Sequence, residues 1–260
     1  MVRYGRLAAS RGSGVRLNRD EALGYLGYAG QQVDETLLAR FHELAHACET
    51  TIEPVYAWEL YDIDERRCCW DGSEPVVALR DCPVLLKGES IADHLRGARK
   101  VALMACTLGA ASEREMRKHA ALSAADGVMY GACASALVEA CANAVEGYIV
   151  AAAHELGLHT NWRFSPGYGD LPLDVQPAFL KALDATRKLG VTLTATNMLV
   201  PVKSVTAVVG LFDKVDAGAE VRSACGVCQL KGCCELRKRG VTCHGYRNCR
   251  RRRARRLAWA

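Results

Sequence analysis

Hydrophobic and polar positions recur with two different periods along this chain, and the two periods predict a mixed fold. Between Asp34 and about Cys48, apolar residues recur every three or four positions after a capping aspartate, which predicts a helix. Residues 52–63 alternate between two faces of an extended chain, which predicts a strand. Helices and strands are thus both present within the first quarter of the sequence.

The same patterns predict the remaining elements. Two further strands are expected at 76–79 and 100–106, with a short helix near 90–96 between them. A helix from about 175 to 189 follows later, and two strands at 191–196 and 204–212 could pair around Pro201. These elements indicate an α+β fold.

A long helix rich in small residues is predicted from about Ser123 to Glu155. Its apolar positions recur at spacings of three and four, whereas Glu139, Asn143 and Glu146 share a separate polar stripe. Glu139 could therefore face a cleft, as an acid or as the partner of a cationic ligand. The alternative is that both glutamates are solvated.

The segment 163–172 combines a guanidinium, glycines, prolines and a tyrosine within ten residues. Glycine and proline fix backbone geometry that ordinary residues avoid, so main-chain groups can approach a small molecule closely. Arg163 offers a planar fork for a carboxylate or phosphate, and Tyr168 offers an aromatic face for a cation. The segment indicates a ligand loop, or alternatively an ordered connection between helices.

Several motifs together resemble the activation domain of cobalamin-dependent methionine synthase, and most closely its free-standing form. They are Arg-Phe-Ser-Pro-Gly-Tyr at 163–168, Met-Leu-Val-Pro-Val-Lys-Ser-Val at 198–205, Leu-Gly-Tyr at 26–28 and Thr-Leu-Gly at 107–109. The resemblance covers roughly residues 20–215. It implies a twisted antiparallel sheet with flanking helices, one of them long and Ala-rich.

The resemblance also implies a binding site for S-adenosylmethionine. Arg163 would hold the ligand's carboxylate, and Tyr168 would border the sulfonium or the corrinoid face. The implied catalytic residues are Tyr168 and Glu139. The implied cofactor-binding residues are Arg163, Ser165, Gly167, Tyr168, Thr107 and Gly109.

The implied function is reactivation of a corrinoid on a separate polypeptide. The family presents the methyl group of S-adenosylmethionine to cobalamin in the inert Co(II) state, using an electron from a flavodoxin-like donor. The partner would be a cobalamin-binding methionine synthase or another corrinoid protein, and the chain a component of that methyltransferase system. The sequence contains no Asp-x-His-x-x-Gly cobalt-ligand motif, so we expect the cobalamin on a partner.

A His-Glu-x-x-His motif at 42–46 predicts an alternative function, that of a zinc-dependent hydrolase. This spacing places two imidazoles one helical turn apart on a metal, with Glu43 as the base. However, His42 and His46 fall on the polar side of their predicted helix, and no third-ligand pattern follows.

Thirteen cysteines indicate reduced thiols and metal ligands rather than a disulfide framework. Six lie within 25 residues near the C-terminus, among glycines and basic residues. A ligand set from this cluster would suit an iron-sulfur cluster or zinc, or the thiols could stay free. A third hypothesis is therefore a metal-stapled binding module without chemistry. The candidate ligands are Cys225, Cys228, Cys233, Cys234 and Cys243.

The formal charge of +5 comes from the end of the chain. Residues 247–260 contain seven arginines and no acid, whereas the rest carries 27 basic and 29 acidic side chains. We expect a solvated tail rather than a nucleic-acid site. No secretory signal or membrane-spanning run is evident, which predicts a cytoplasmic protein. The expected segments are a flexible basic start (1–19), the activation-like domain (20–215), a Cys-rich segment (216–249) and an Arg-rich tail (250–260).

Overall fold

The computed structural model describes residues 1–7, 14–28, 30–213 and 232, and its core is an antiparallel sheet with helices on both faces. The strands are β1 Arg3–Arg6, β2 Val55–Asp62, β3 Val76–Ala78, β4 Leu85–Lys87, β5 Lys100–Thr107, β6 His159–Thr160, β7 Thr192–Leu193, β8 Leu199–Val200 and β9 Ser204–Phe212. The helices are α1 Arg19–Tyr25, α2 Glu35–Thr51, α3 Glu89–Leu95, α4 Gly109–Leu122, α5 Ala124–Glu155, α6 Gln176–Ala182 and α7 Ala185–Leu189, with a 3-10 turn at Leu173–Val175.

The main sheet has the strand order β1-β2-β5-β9-β6, and every neighbouring pair is antiparallel. Because side chains alternate along a strand, each central strand serves two cores. On β5, Met104 packs toward α1, α2 and α5, whereas Leu103 packs toward α3, α6 and α7. On β9, Val209 packs on the side of α1, α2 and α5, and Val208 packs on the side of α3, α6 and α7. The sheet is therefore the middle layer of three.

Helix α5 is the longest element and covers one face of the sheet. The small residues of its inner face lie fully buried against the sheet and against α1 and α2, as Cys133, Ala134 and Cys141 show. By length and composition it could cross a membrane, but its most apolar stretch is 61% buried inside the protein. Its hydrophobicity is thus accounted for by its position as a core helix.

Most of the elements predicted from periodicity are confirmed. Asp34 caps α2 by accepting hydrogen bonds from two backbone amides of the first turn. Ser123 caps α5, and β2, β3, β5 and α3 lie where the sequence patterns placed them. The expected architecture, a twisted antiparallel sheet with one long Ala-rich helix, is confirmed.

Two predictions for the C-terminal half are wrong. The segment 191–196 does not pair with 204–212, because β7 forms a hairpin with β8 instead. Strand β9 pairs with β5 and β6, since both of its faces are apolar and need central burial. The single helix expected at 175–189 is divided at Asp184, which adopts a left-handed backbone conformation with φ of 51°.

The start of the chain also differs from the flexible segment expected at 1–19. Residues Arg3–Arg6 form an edge strand on β2, and Leu7 and Leu17 are buried in the core. The pairing partner lies some 50 residues away, so no local pattern marked this strand. Apart from Gly232, the Cys-rich segment and the Arg-rich tail lie outside the described residues, and their expected boundaries stay predictions.

The cap of α2 generates a test of this fold. Asp34→Ala should lower the free energy of unfolding by about 1 kcal/mol, because two amides at the helix start lose their acceptor. Asp34→Asn keeps an acceptor and should cost much less. Urea denaturation of the three proteins measures the difference, and equal losses for both variants would contradict the capping role.

Candidate functional site

The segment that begins at Arg163 is attached to the sheet by one pair of backbone hydrogen bonds. Phe164 N–H donates to Val208 O (2.9 Å), and Val208 N–H donates to Phe164 O (2.8 Å). Neighbouring residues in an extended chain point to opposite faces. Phe164 accordingly packs into the core on the α3 side, and Arg163 reaches the polar stripe of α5.

The Arg163 guanidinium lies against three polar residues of α5. Its Nη2 donates to Glu139 Oε2 (3.2 Å) and to Asn143 Oδ1 (3.0 Å), and its Nε lies 3.6 Å from Glu146 Oε2. The residue is only 7% exposed. Among the described residues, none accepts a hydrogen bond from its buried Nη1. One donor group of a buried cation is thus left for a further acceptor.

The pKa of the Glu139 carboxyl is raised by its position in this cluster. Burial raises its pKa, and the opposing attraction of Arg163 does not fully offset that effect. The negative charges of Glu21 on α1 and Glu146 on α5 raise the pKa further. Acidic groups from both α1 and α5 therefore act on the Glu139 carboxyl.

The loop after Phe164 is held in a tight conformation by its glycines and by Asp170. Gly167 has φ of 91° and donates to Leu171 O (2.8 Å), closing the turn. Asp170 accepts from the amides of Glu89 (2.6 Å) and Ser90 (3.0 Å). Gly88, the residue before α3, offers no side-chain cap, so Asp170 caps that helix from the loop.

His94 fixes the chain just before Arg163. Burial lowers its pKa to about 4, so the ring is neutral at physiological pH. Its Nε2 lies 2.9 Å from Trp162 O, and its ring packs against Trp162 and Phe164. The aromatic cluster of His94, Trp162 and Phe164 thereby fixes the position of the backbone from which Arg163 reaches α5.

Thr107, the last residue of β5, and Gly109, the first residue of α4, lie beside the start of β9, away from the bridge at Val208. Thr107 pairs with Ser204, four residues along β9 from the bridge at Val208, or roughly 13 Å along the strand. Its Oγ1 accepts from Gly109 N (3.0 Å) and from Ser204 Oγ (2.7 Å). These hydrogen bonds hold the connection from β5 to α4 and do not join the Arg163 cluster.

Tyr168 and Ser165 form the outer part of the loop. Tyr168 is 46% exposed, and its amide donates to Ser165 O (3.0 Å) in a turn. Its ring lies edge-on to Phe164. Met198 and Val202 are exposed as well, on the chain that leads to β9.

The competing zinc motif has no metal-site geometry in the described part of the chain. His42 and His46 are exposed on α2, and Glu43 pairs with Arg40, which also binds Asp126. No group of three metal-ligating side chains occurs among the described residues. The cysteines proposed as ligands, at 225, 228, 233, 234 and 243, lie outside those residues, so that site stays a prediction.

The sequence predicts both Glu139 and Arg163 as site residues, but it assigns no role to the other two residues that contact Arg163. Asn143 and Glu146 appear in the sequence pattern only as members of a polar stripe. The signal was present, because polar residues at positions i, i+4 and i+7 of an otherwise apolar helix share one face. The polar stripe did not show which cation lies against it, namely Arg163.

The fold of this chain is similar to that of a solved protein structure. A solved structure described as the crystal structure of the MetH reactivation domain bound to AdoHcy is similar to the chain, with a TM-score of 0.59. The match covers 93% of this chain and 86% of that one at 14% sequence identity, which establishes the fold. No protein-family model and no curated protein matches the sequence.

The capping role of Asp170 gives a pH-dependent prediction. Burial disfavours its charged form, but the amides of Ser90 and Glu89 outweigh this and lower the pKa. Ionised Asp170 therefore stabilises the fold above the unfolded pKa of about 3.9, and the contribution is lost as pH falls through the lower folded pKa.

Asp170→Asn should accordingly reduce the free energy of unfolding by about 1 kcal/mol at pH 6, and by less near pH 3. Urea midpoints measured across this range test the expectation. Asp81→Asn, at an exposed position, is the matched control. A difference between wild type and Asp170→Asn that does not change with pH would refute the charged cap.

Proposed function

We propose that this protein binds S-adenosylmethionine and supports the reactivation of a cobalamin-dependent methionine synthase on a separate polypeptide. The observation that carries the proposal is the buried Arg163 cluster, located at the start of a tight loop on a reactivation-domain fold. The related structure was solved with AdoHcy, the demethylated form of this ligand.

The charges of the cluster fit the amino-acid end of the ligand. S-adenosylmethionine carries a carboxylate and an ammonium group on one carbon. Arg163 has a buried Nη1 that donates to no described residue, and a carboxylate would satisfy it. Glu139, adjacent to the same guanidinium, has the charge to pair with the ammonium group.

The loop supplies the remaining predicted contacts. The turn at 165–168 presents backbone groups of Ser165 and Gly167, and the exposed Tyr168 would border the sulfonium or a docking corrinoid. Thr107 and Gly109 would contact a more distant part of the ligand. Glu139 acts in this scheme as a binding group, since it is already paired with Arg163.

When bound, S-adenosylmethionine would supply its sulfonium methyl group to cob(II)alamin on the partner, with an electron from a flavodoxin-like donor. The chain's own residues would bind and orient the ligand, with Arg163 fixing the carboxylate end. The partner is a cobalamin-binding methionine synthase or another corrinoid protein. A zinc ion or an iron-sulfur cluster in the Cys-rich segment is a separate prediction, and the proposed function does not depend on it.

Calorimetric titration with S-adenosylmethionine tests the ligand. Arg163→Ala should weaken binding by about 2 kcal/mol, because a charged hydrogen bond to the carboxylate is lost. Arg163→Lys keeps the charge without the planar fork and serves as the variant that is expected to fold. Arg187→Ala, at an exposed arginine of α7, should bind like wild type.

A reconstituted assay tests the proposed partner. We expect the chain, S-adenosylmethionine and a reductant to convert cob(II)alamin to methylcobalamin on a methionine synthase that lacks its own activation domain. The visible spectrum of the cobalamin reports the conversion, and Arg163→Lys should slow it. Ligand binding without any conversion would retain the binding site and reject this partner.

A further inference from the structure

The charges around Arg163 do not balance. Arg163 is the cation that acts on Glu139, whereas Glu21 and Glu146 are the anions that act on the same carboxyl. Two of these acids lie in direct ion-pair range of the guanidinium, at 3.2 Å for Glu139 and 3.6 Å for Glu146. With its acids ionised, the cluster carries an excess of negative charge.

The excess negative charge affects which of two similar ligands the site binds more tightly. S-adenosylmethionine and its demethylated product share the carboxylate, the ammonium group and the adenosine. They differ by one methyl group and by the positive charge on sulfur. A site that contacts the shared groups binds both, and discrimination requires an interaction that responds to the charge.

We propose that Glu146 is a specificity-determining residue, whose charge makes the site prefer the cationic sulfonium ligand over the demethylated product. This inference rests on the proposed binding of S-adenosylmethionine. The preference would favour release of the product after methyl transfer, because the product lacks the charge that the site attracts.

Glu146 is better suited to this role than Glu139. Glu139 receives a hydrogen bond from Arg163, so its charge is directly neutralised. Glu146 is 3.6 Å from Arg163 Nε, beyond a hydrogen bond, and its side chain is 15% exposed. Replacing its charge leaves the hydrogen bonds from Arg163 to Glu139 and Asn143 in place. Charge and geometry can therefore be tested separately.

The experiment compares the dissociation constants of three ligands by calorimetry at low salt. They are S-adenosylmethionine, S-adenosylhomocysteine and sinefungin, which carries an ammonium group in place of the methyl sulfonium. Glu146→Gln should weaken both cationic ligands about threefold to tenfold and change S-adenosylhomocysteine less than about twofold. Glu146→Asp should restore the preference. Glu155→Gln, an exposed glutamate of the same helix, should leave all three unchanged.

Each other outcome has a defined meaning. If Glu146→Gln weakens all three ligands equally, Glu146 merely positions Arg163, and the inference is overturned while ligand binding stands. The inference is also overturned if wild type binds S-adenosylhomocysteine as tightly as S-adenosylmethionine, or if sinefungin follows the uncharged ligand. If wild type binds none of the three, the proposed function fails and this inference fails with it.

Discussion

The burial of one guanidinium is the constraint on which the candidate site depends. Arg163 is only 7% exposed, and a buried charge is tolerated only where partners compensate its lost hydration. Glu139 and Asn143 provide that compensation from α5. Arg163 thus requires polar residues on α5, a helix whose other buried residues form the core. The position of these polar residues determines where the loop that starts at Arg163 can lie.

The sheet explains how these groups meet. Strand β9 lies between β5 and β6, and its bridge to Phe164 sets the direction in which Arg163 points. Helix α5 can approach the sheet closely because its inner residues are small. On the opposite face, Asp170 joins the loop to α3 through backbone amides. The loop is therefore held from both layers, which limits its conformational freedom.

Different parts of the structure were predictable to different degrees. The start of α2 and both ends of α5 followed from a capping residue and a repeating apolar pattern, since both signals act within a few residues. The strand at 3–6 and the hairpin of β7 with β8 did not follow, because pairing depends on competition among distant strands. For the site, the sequence identified Arg163 and Glu139 as candidates but gave no indication that they contact each other.

The sequence by itself determined α2, α3 and α5, the longer strands β2, β5 and β9, the turn-forming residues of the 163–172 loop and the resemblance that implied this fold, whereas no pattern predicted α1 and α4. Only the tertiary structure decided which charges meet. Arg163 and Glu139 are 24 residues apart, and Asp170 and Glu89 are 81 apart. Local propensities act over one or two turns, whereas these contacts depend on strand order, register and the depth to which α5 packs. Residue types therefore set the available chemistry, and the packing of the sheet decided where the charges come together.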